Sequence, residues 1–343
     1  MEEKMAESKK RRMGRMLAGI VLGAGILSGC AAQKKNAEPL RRSEFLLNTF
    51  VTITLYDKDE EKLLEEAVKL CRDYEEKLSK TVEGSEIYQI NHREAGVKAM
   101  EVSDETAEMI EKGLYFSSLS DGAFDLTIEP LSSLWNFTGE VKEVPDARAI
   151  REAAERVDYR KLSVEGNQVS FLDDQVNIEP GAVAKGYIAD RLKAFLKDQG
   201  VESGLIDLGG NILCIGSRPD NTPFKIGLQK PYFDRKETVA VLNITDQSVV
   251  TSGVYERCFE QDGVHYHHLL NPKTGYPYDN GLLSVTIVSD RSVDGDGLST
   301  ACFSLGLEQG MELANSLEGV YAYFITEDYE IHCSDGAEAL LSE

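Results

Sequence analysis

The sequence predicts an α+β fold of largely antiparallel sheets with flanking helices. Two observations point to it. From Gly204 onward, short β-branched runs follow one another mainly at hairpin spacing, while segments of helical period are grouped before and between them. No internal repeat and no Pro/Gly/Ser-rich linker divides the chain, so residues 44–343 read as one domain.

Taken in order, Phe45 to Tyr56 alternates and is rich in β-branched residues, which predicts a strand. Asp59 to Lys80 places Leu63, Ala67, Leu70, Cys71, Tyr74 and Leu78 on one helical face, with acids at its start. Ser85 to Asn91 opens a second, short helix. Ser103 caps a third, reaching Leu119, whose stripe is Met109, Ile110, Leu114 and Tyr115. Asp121 to Phe137 is a turn followed by a short apolar segment. An Ala- and Glu-rich helix (146–157), a hairpin (162–172), a short strand (176–180) and a helix (187–197) come next. Strands are then expected at 204–208, 212–215, 224–228, 239–244, 249–251, 266–270 and 282–288. Helices at 295–305 and 307–317 precede a closing pair of strands at 321–326 and 330–333.

A net charge of −22, from 59 acidic and 37 basic residues, argues against nucleic-acid binding, which needs a basic face. An anionic substrate would require a metal ion or a local basic group to offset that charge. At the N-terminus, Lys9 to Arg12 and Arg15 precede an apolar stretch, Met16 to Gly29, too short to span a bilayer comfortably. It ends in Leu27-Ser28-Gly29-Cys30, which resembles a bacterial lipoprotein signal. The expectation is that residues 1–29 are removed and that Cys30 is lipidated. Residues 30–43 would then tether the fold to the extracytoplasmic side of a cell membrane. The other cysteines are widely spaced without a C-x-x-C pair, so buried free thiols are expected.

Several stretches have residue types suited to chemistry. His265 to Pro277 puts three of the chain's five histidines just before Asn271-Pro272-Lys273-Thr274-Gly275, a turn-forming run. An imidazole at a rigid strand-to-turn corner suits a general base, although a solvated hairpin with incidental histidines reads equally well. Gly181 to Gly186 leads into a helix and suits close approach of an anion, with Lys185 to neutralise it; it is also a plausible plain connection. Asp207-Leu208-Gly209-Gly210-Asn211 reads first as a tight turn. Asp296 and Thr300 fall at i and i+4 near a helix start, as hard oxygen ligands or as an ordinary cap and helix residue. Phe124, Trp135 and Phe137, with Asp125 and Thr127, could line a planar ring system or simply fill the core.

In this order the motifs resemble the ApbE family, the FAD:protein FMN transferases. The matching runs are Ser85 to Asn91, Gly122 to Leu131 with Leu134 to Phe137, Ala184 to Asp190, Asp207 to Asn211, Thr251 to Arg257, His268 to Pro277, and Asp296 to Thr300. The resemblance covers nearly everything after Cys30. It implies Mg²⁺-dependent transfer of FMN from FAD to a Thr or Ser hydroxyl of a partner protein, with release of AMP. It further implies Mg²⁺ held by Asp296, Thr300 and the Ala182 carbonyl, flavin-nucleotide contacts at Leu47, Ala123, Phe124, Asp125, Glu179 and Lys185, and His268 as base. Flavin-accepting subunits of membrane electron-transfer complexes are the partners the family suggests. Two other readings remain, an FAD pyrophosphatase and a non-catalytic flavin-binding lipoprotein. The chain departs from the family at Leu47-Asn48, where Met-Gly is frequent, near Thr81, where an aromatic is common, and at Glu179, where Asp is common.

Overall fold

The computed structural model describes residues 38–232 and 237–342. Its strands are β1 (Leu40–Leu46), β2 (Thr49–Leu55), β3 (Ala99–Glu101), β4 (Leu162–Glu165), β5 (Gln168–Phe171), β6 (Gly204–Leu208), β7 (Ile212–Ile215) and β8 (Phe224–Gln229). There follow β9 (Thr238–Ile244), β10 (Ser248–Gly253), β11 (Cys258–Gln261), β12 (Val264–His267), β13 (Leu282–Ser289), β14 (Tyr321–Thr326) and β15 (Ile331–Cys333). The helices are α1 (Glu61–Leu78), α2 (Glu86–Asn91), α3 (Asp104–Leu119), α4 (Glu129–Trp135), α5 (Ala147–Ala154), α6 (Ala184–Asp198) and α7 (Ser292–Asn315).

Eight strands form one sheet in the order β1-β2-β6-β7-β10-β13-β14-β15, with every neighbouring pair antiparallel. The expected α+β class therefore holds. Side-chain alternation sorts the sheet into two cores. On β14, Ala322 and Phe324 join the large core shared with the helices, whereas Tyr323 between them joins a second core with Phe224, Ile226 and Leu242 of the β8–β9 hairpin. Covered on both faces, β13 is buried along its whole length. Pro39–Glu343 is one compact unit, and β1 takes in residues 40–43, which the sequence reading had assigned to the tether. The expected signal segment and Cys30 lie outside the described residues.

Three α-helix starts carry side-chain caps of their own. Ser85 accepts from the Tyr88 N–H, Ser103 from Thr106, and Asp146 from Arg148 and Ala149. Gly306, with φ of 81°, interrupts α7 where two helices were expected.

Three of the departures from expectation lie near the candidate site residues. Residues 45–56 are not one strand: the chain reverses at Leu47 and Asn48, whose φ values are 55° and 56°, so β1 and β2 form a hairpin. The Leu47 N–H is held by Glu75 Oε1 at 2.7 Å, a partner from α1. Residues 176–179 belong to no strand, and Pro180 already opens a short 3-10 turn. Instead the Asn91 side chain bonds both backbone groups of Ile178, donating at 2.9 Å and accepting at 2.7 Å. Finally, β12 stops at His267, which leaves His268 to 270 outside it.

The contact that positions the site is the crossing of α6 and α7 near their first turns. A Cβ on Gly186 would lie 2.3 Å from the Ser292 carbonyl oxygen and 2.6 Å from Val293 Cα. One turn later, Asp190 accepts from the Ser292 and Val293 N–H groups at 2.7 and 3.1 Å, capping α7 from its neighbour. Gly186→Ala should therefore push backbone against backbone and cost about 2–3 kcal/mol. The expected reading is a lower denaturant midpoint at unchanged m; an unchanged midpoint would mean that the helices part freely.

Candidate active site

Because α6 and α7 touch at Gly186, Lys185 and Asp296 come together. Asp296 is 3% exposed, accepts the Gly186 N–H at 2.8 Å, and has its other oxygen 3.5 Å from Lys185 Nζ. It sits in the second turn of α7, not at its start, since the helix begins at Ser292. Thr300 is four residues on, and its Oγ1 is 2.9 Å from Ser252 Oγ on β10. Ala182 ends the short 3-10 turn Pro180–Ala182 leading into α6. These are hard oxygen donors with a single carboxylate, and no cluster of three or more His, Cys, Asp or Glu suited to a metal occurs among the described residues. The set fits Mg²⁺, which takes many of its ligands from water and substrate phosphate; it does not make a dedicated protein cage.

Glu179 caps the same turn, accepting from the Gly181 N–H at 3.2 Å. Lys80 Nζ is 2.6 Å from its other oxygen, which also accepts from Ser132 Oγ. Burial opposes ionisation of Glu179, but the Lys80 ammonium and these hydrogen bonds outweigh it and hold the carboxyl below its usual range. Lys80 carries no sequence signal, and only the fold brings it here.

The Ala123–Asp125 stretch offers backbone more than side chain. Phe124 is 5% exposed and meets Phe116 edge-on in the core. The Asp125 carboxylate accepts from Thr127 N–H, Thr127 Oγ1 and Tyr159 N–H at 2.8, 2.6 and 3.0 Å, and burial raises its pKa. The Ala123 carbonyl accepts from Tyr278 Oη at 2.8 Å. Beside Asp125 runs a cleft of about 610 Å³, bordered by Tyr159, Arg151 and Lys273. Trp135 and Phe137 stack at 5.5 Å and are buried, so the core reading holds for them. Leu47, at the hairpin tip, packs partly buried against the large core.

The Asn271–Gly275 corner is rigid. Asn271 Oδ1 accepts from the Lys273 N–H, the Gly275 N–H bonds the Asn271 carbonyl, and Trp135 Nε1 donates to the Gly275 carbonyl at 2.8 Å. Gly275 has φ of 75°, and a Cβ there would sit 2.5 Å from Ile150 Cγ2. This corner supports the three histidines differently. His265 is exposed and lies 3.5 Å from Glu260. His267 is buried: its Nε2 donates to the Tyr278 carbonyl at 3.0 Å, and its Nδ1 accepts from the Leu269 N–H at 3.3 Å. That pattern needs the neutral ring, so His267 is a strut.

His268 is partly accessible, but its Nδ1 is buried without a partner. Burial, then the nearby Arg257, His267 and Lys185 charges, lower its pKa to about 3. The ring is therefore uncharged at neutral pH. Lys185 thus lies against Asp296 on α7, and the histidine corner reaches the same helix where the His267 ring meets Phe303 edge-on at 6.0 Å.

The lowered pKa of His267, about 4, has a consequence for stability. Between that value and the ordinary 6.5 the unfolded chain binds more protons than the native one, so stability falls as pH drops through this window. His267→Gln should remove about 2–3 kcal/mol of the loss between pH 7 and pH 4.5. Denaturant midpoints at the two pH values measure it, and an equally steep loss in the variant would contradict the neutral strut.

A buried carboxylate and a hydroxyl one turn apart, a lysine beside them and an uncharged imidazole nearby have the equipment of an enzyme that transfers a phosphate-linked group. The ApbE family profile matches residues 47–324, and the chain belongs to that family. It is 38% identical over 291 residues to an FAD:protein FMN transferase of Klebsiella pneumoniae, covering 84% of this chain and 90% of that one. An FAD:protein FMN transferase of Treponema pallidum is 32% identical over 340 residues, covering 94% of this chain and 92% of its own length. The flavin transferase ApbE of Vibrio cholerae superposes with a TM-score of 0.81 at 27% identity, covering 89% of this chain and all of that one. The Thermotoga maritima ApbE protein gives 0.81 at 30% identity with the same coverage.

Proposed function

We propose that the chain transfers FMN from FAD to a Thr or Ser hydroxyl of a flavin-accepting protein. The observation that supports it most directly is the contact of Lys185 and the Gly186 N–H with Asp296 at the α6–α7 crossing, one helical turn from Thr300, in a member of this family. In the reaction the acceptor oxygen forms a new bond to the FMN phosphorus. The P–O bond to the AMP phosphate breaks, and AMP leaves with that oxygen. The hydroxyl proton passes to His268, since a Ser or Thr hydroxyl is a weak nucleophile unaided. Lys185 offsets substrate phosphate charge.

Asp296, Thr300 and the Ala182 carbonyl are the residues that would hold Mg²⁺. When bound, it would stabilise charge developing on the phosphoryl and leaving oxygens. Glu179, fixed by Lys80, and the 123–125 backbone would orient the nucleotide. The Leu27-Ser28-Gly29-Cys30 run supports a lipid anchor at Cys30, which would place the enzyme on the extracytoplasmic side of the membrane. Acceptors in membrane electron-transfer complexes suit that placement.

The test is to incubate the chain lacking residues 1–30 with FAD, Mg²⁺ and a candidate acceptor domain. Covalent flavin fluorescence on a denaturing gel with release of AMP is the expected result. Free FMN and AMP without labelling would make it a pyrophosphatase instead, and unchanged FAD would overturn both.

A further inference from the structure

The hydroxyl groups behind Thr300 form a chain whose proton directions can be counted. Ser299 Oγ lies 3.0 Å from the Asp296 carbonyl oxygen, which can only accept, so the one Ser299 proton is directed there. Ser252 Oγ is 2.9 Å from Ser299 Oγ, and with that proton engaged Ser252 must be the donor. Ser252 Oγ is also 2.9 Å from Thr300 Oγ1. Its own proton already faces Ser299, so at this contact Thr300 donates. One backbone carbonyl thus sets the direction of three hydroxyl protons in turn. Ser299 is fully buried, which keeps water from offering competing partners at that end of the chain.

The result matters because a neutral hydroxyl binds a cation only through a lone pair. With its proton turned toward β10, Thr300 Oγ1 keeps its lone pairs for the other side. We infer that Ser252 is a positioning residue for metal binding: by accepting the Thr300 proton it presents Thr300 Oγ1 to a divalent cation as a pure acceptor. This rests on the proposed role of Asp296 and Thr300. Ser252 need not touch the ion. Partners of this kind commonly account for 10- to 100-fold in metal affinity.

The test is a titration of the metal-free protein with Mn²⁺ alone, following the free Mn²⁺ signal by electron paramagnetic resonance, with thermal melts in parallel. Ser252→Ala should weaken Mn²⁺ binding about 10- to 100-fold. Ser252→Thr, which keeps a hydroxyl, should stay much closer to the parent protein. Should Ser252→Ala unfold, Ser299→Ala serves instead. It frees the Ser252 proton to point at Thr300, occupies a Thr300 lone pair, and should weaken Mn²⁺ binding several-fold. A purely structural role would lower the melting temperature of these variants and leave their Mn²⁺ affinity unchanged. That result, in either variant that folds, overturns the inference while leaving the metal site standing. Equal Mn²⁺ binding by the parent protein and Asp296→Ala would instead overturn the metal assignment itself.

Discussion

Asp296→Ala is expected to lower flavin transfer about a thousandfold or more, equivalent to roughly 4 kcal/mol of transition-state stabilisation. Among the described residues Asp296 is the only carboxylate paired with Lys185, and none of them form a group of three or more His, Cys, Asp or Glu able to hold a metal in its place. The alanine variant alone is ambiguous, since it also strands the Gly186 N–H, which loses its 2.8 Å acceptor at a tight backbone contact. Asp296→Asn resolves this. Its amide oxygen can still accept from Gly186, so folding should be nearly intact, yet a neutral amide is a far poorer Mg²⁺ ligand. Melting temperature close to the parent with transfer reduced nearly as far as in Asp296→Ala is the expected pair of readings. Near-normal transfer in the asparagine variant would show that the charge of Asp296 is not used. Raising Mg²⁺ should partly restore Asp296→Asn, because weakened binding can be offset by mass action.

How far the site could be read in the sequence depended on whether its contacts were local. Asp296 and Thr300 are one helical turn apart, so their shared face followed from periodicity alone, although the helix start was placed three residues late. The cap at Ser103 and the break at Gly306 were legible for the same reason. The reversal at Leu47-Asn48 was not, because leucine seldom adopts positive φ and alternation runs on through the turn. What holds it is Glu75, a residue from α1. Lys80 beside Glu179, Asn91 bonding Ile178 and Asp190 capping α7 are likewise contacts across the fold. Asn91 and Asp190 stood inside recognised motifs without a role, and Lys80 stood in none. Among the histidines, spacing suggested a base at the corner, but only the hydrogen bonds separate them: His267 has both ring nitrogens engaged, while His268 keeps Nδ1 without a partner.

His268→Ala should therefore slow transfer by roughly 10² to 10⁴, the usual range for loss of a general base, with little change in Mn²⁺ affinity. The sharper expectation concerns pH. In the free enzyme, burial first and then the Arg257, His267 and Lys185 charges hold the pKa of His268 near 3. The base form is thus already present across the neutral range, and kcat/KM, which reports free enzyme, should show no acid limb near the ordinary histidine value. Bound FAD changes the balance, because its pyrophosphate brings negative charge to the cations that disfavour imidazolium. The pKa of His268 should rise in the complex, making the ring a stronger base once substrate is in place. The acid limb of kcat should accordingly lie at higher pH than that of kcat/KM. Lys185→Met, which removes one of those cations, should narrow the gap between the two limbs while weakening FAD binding. A kcat/KM inflection near 6.5, or a kcat limb no higher than the kcat/KM limb, would remove His268 as the base and leave it a packing residue beside the nucleotide.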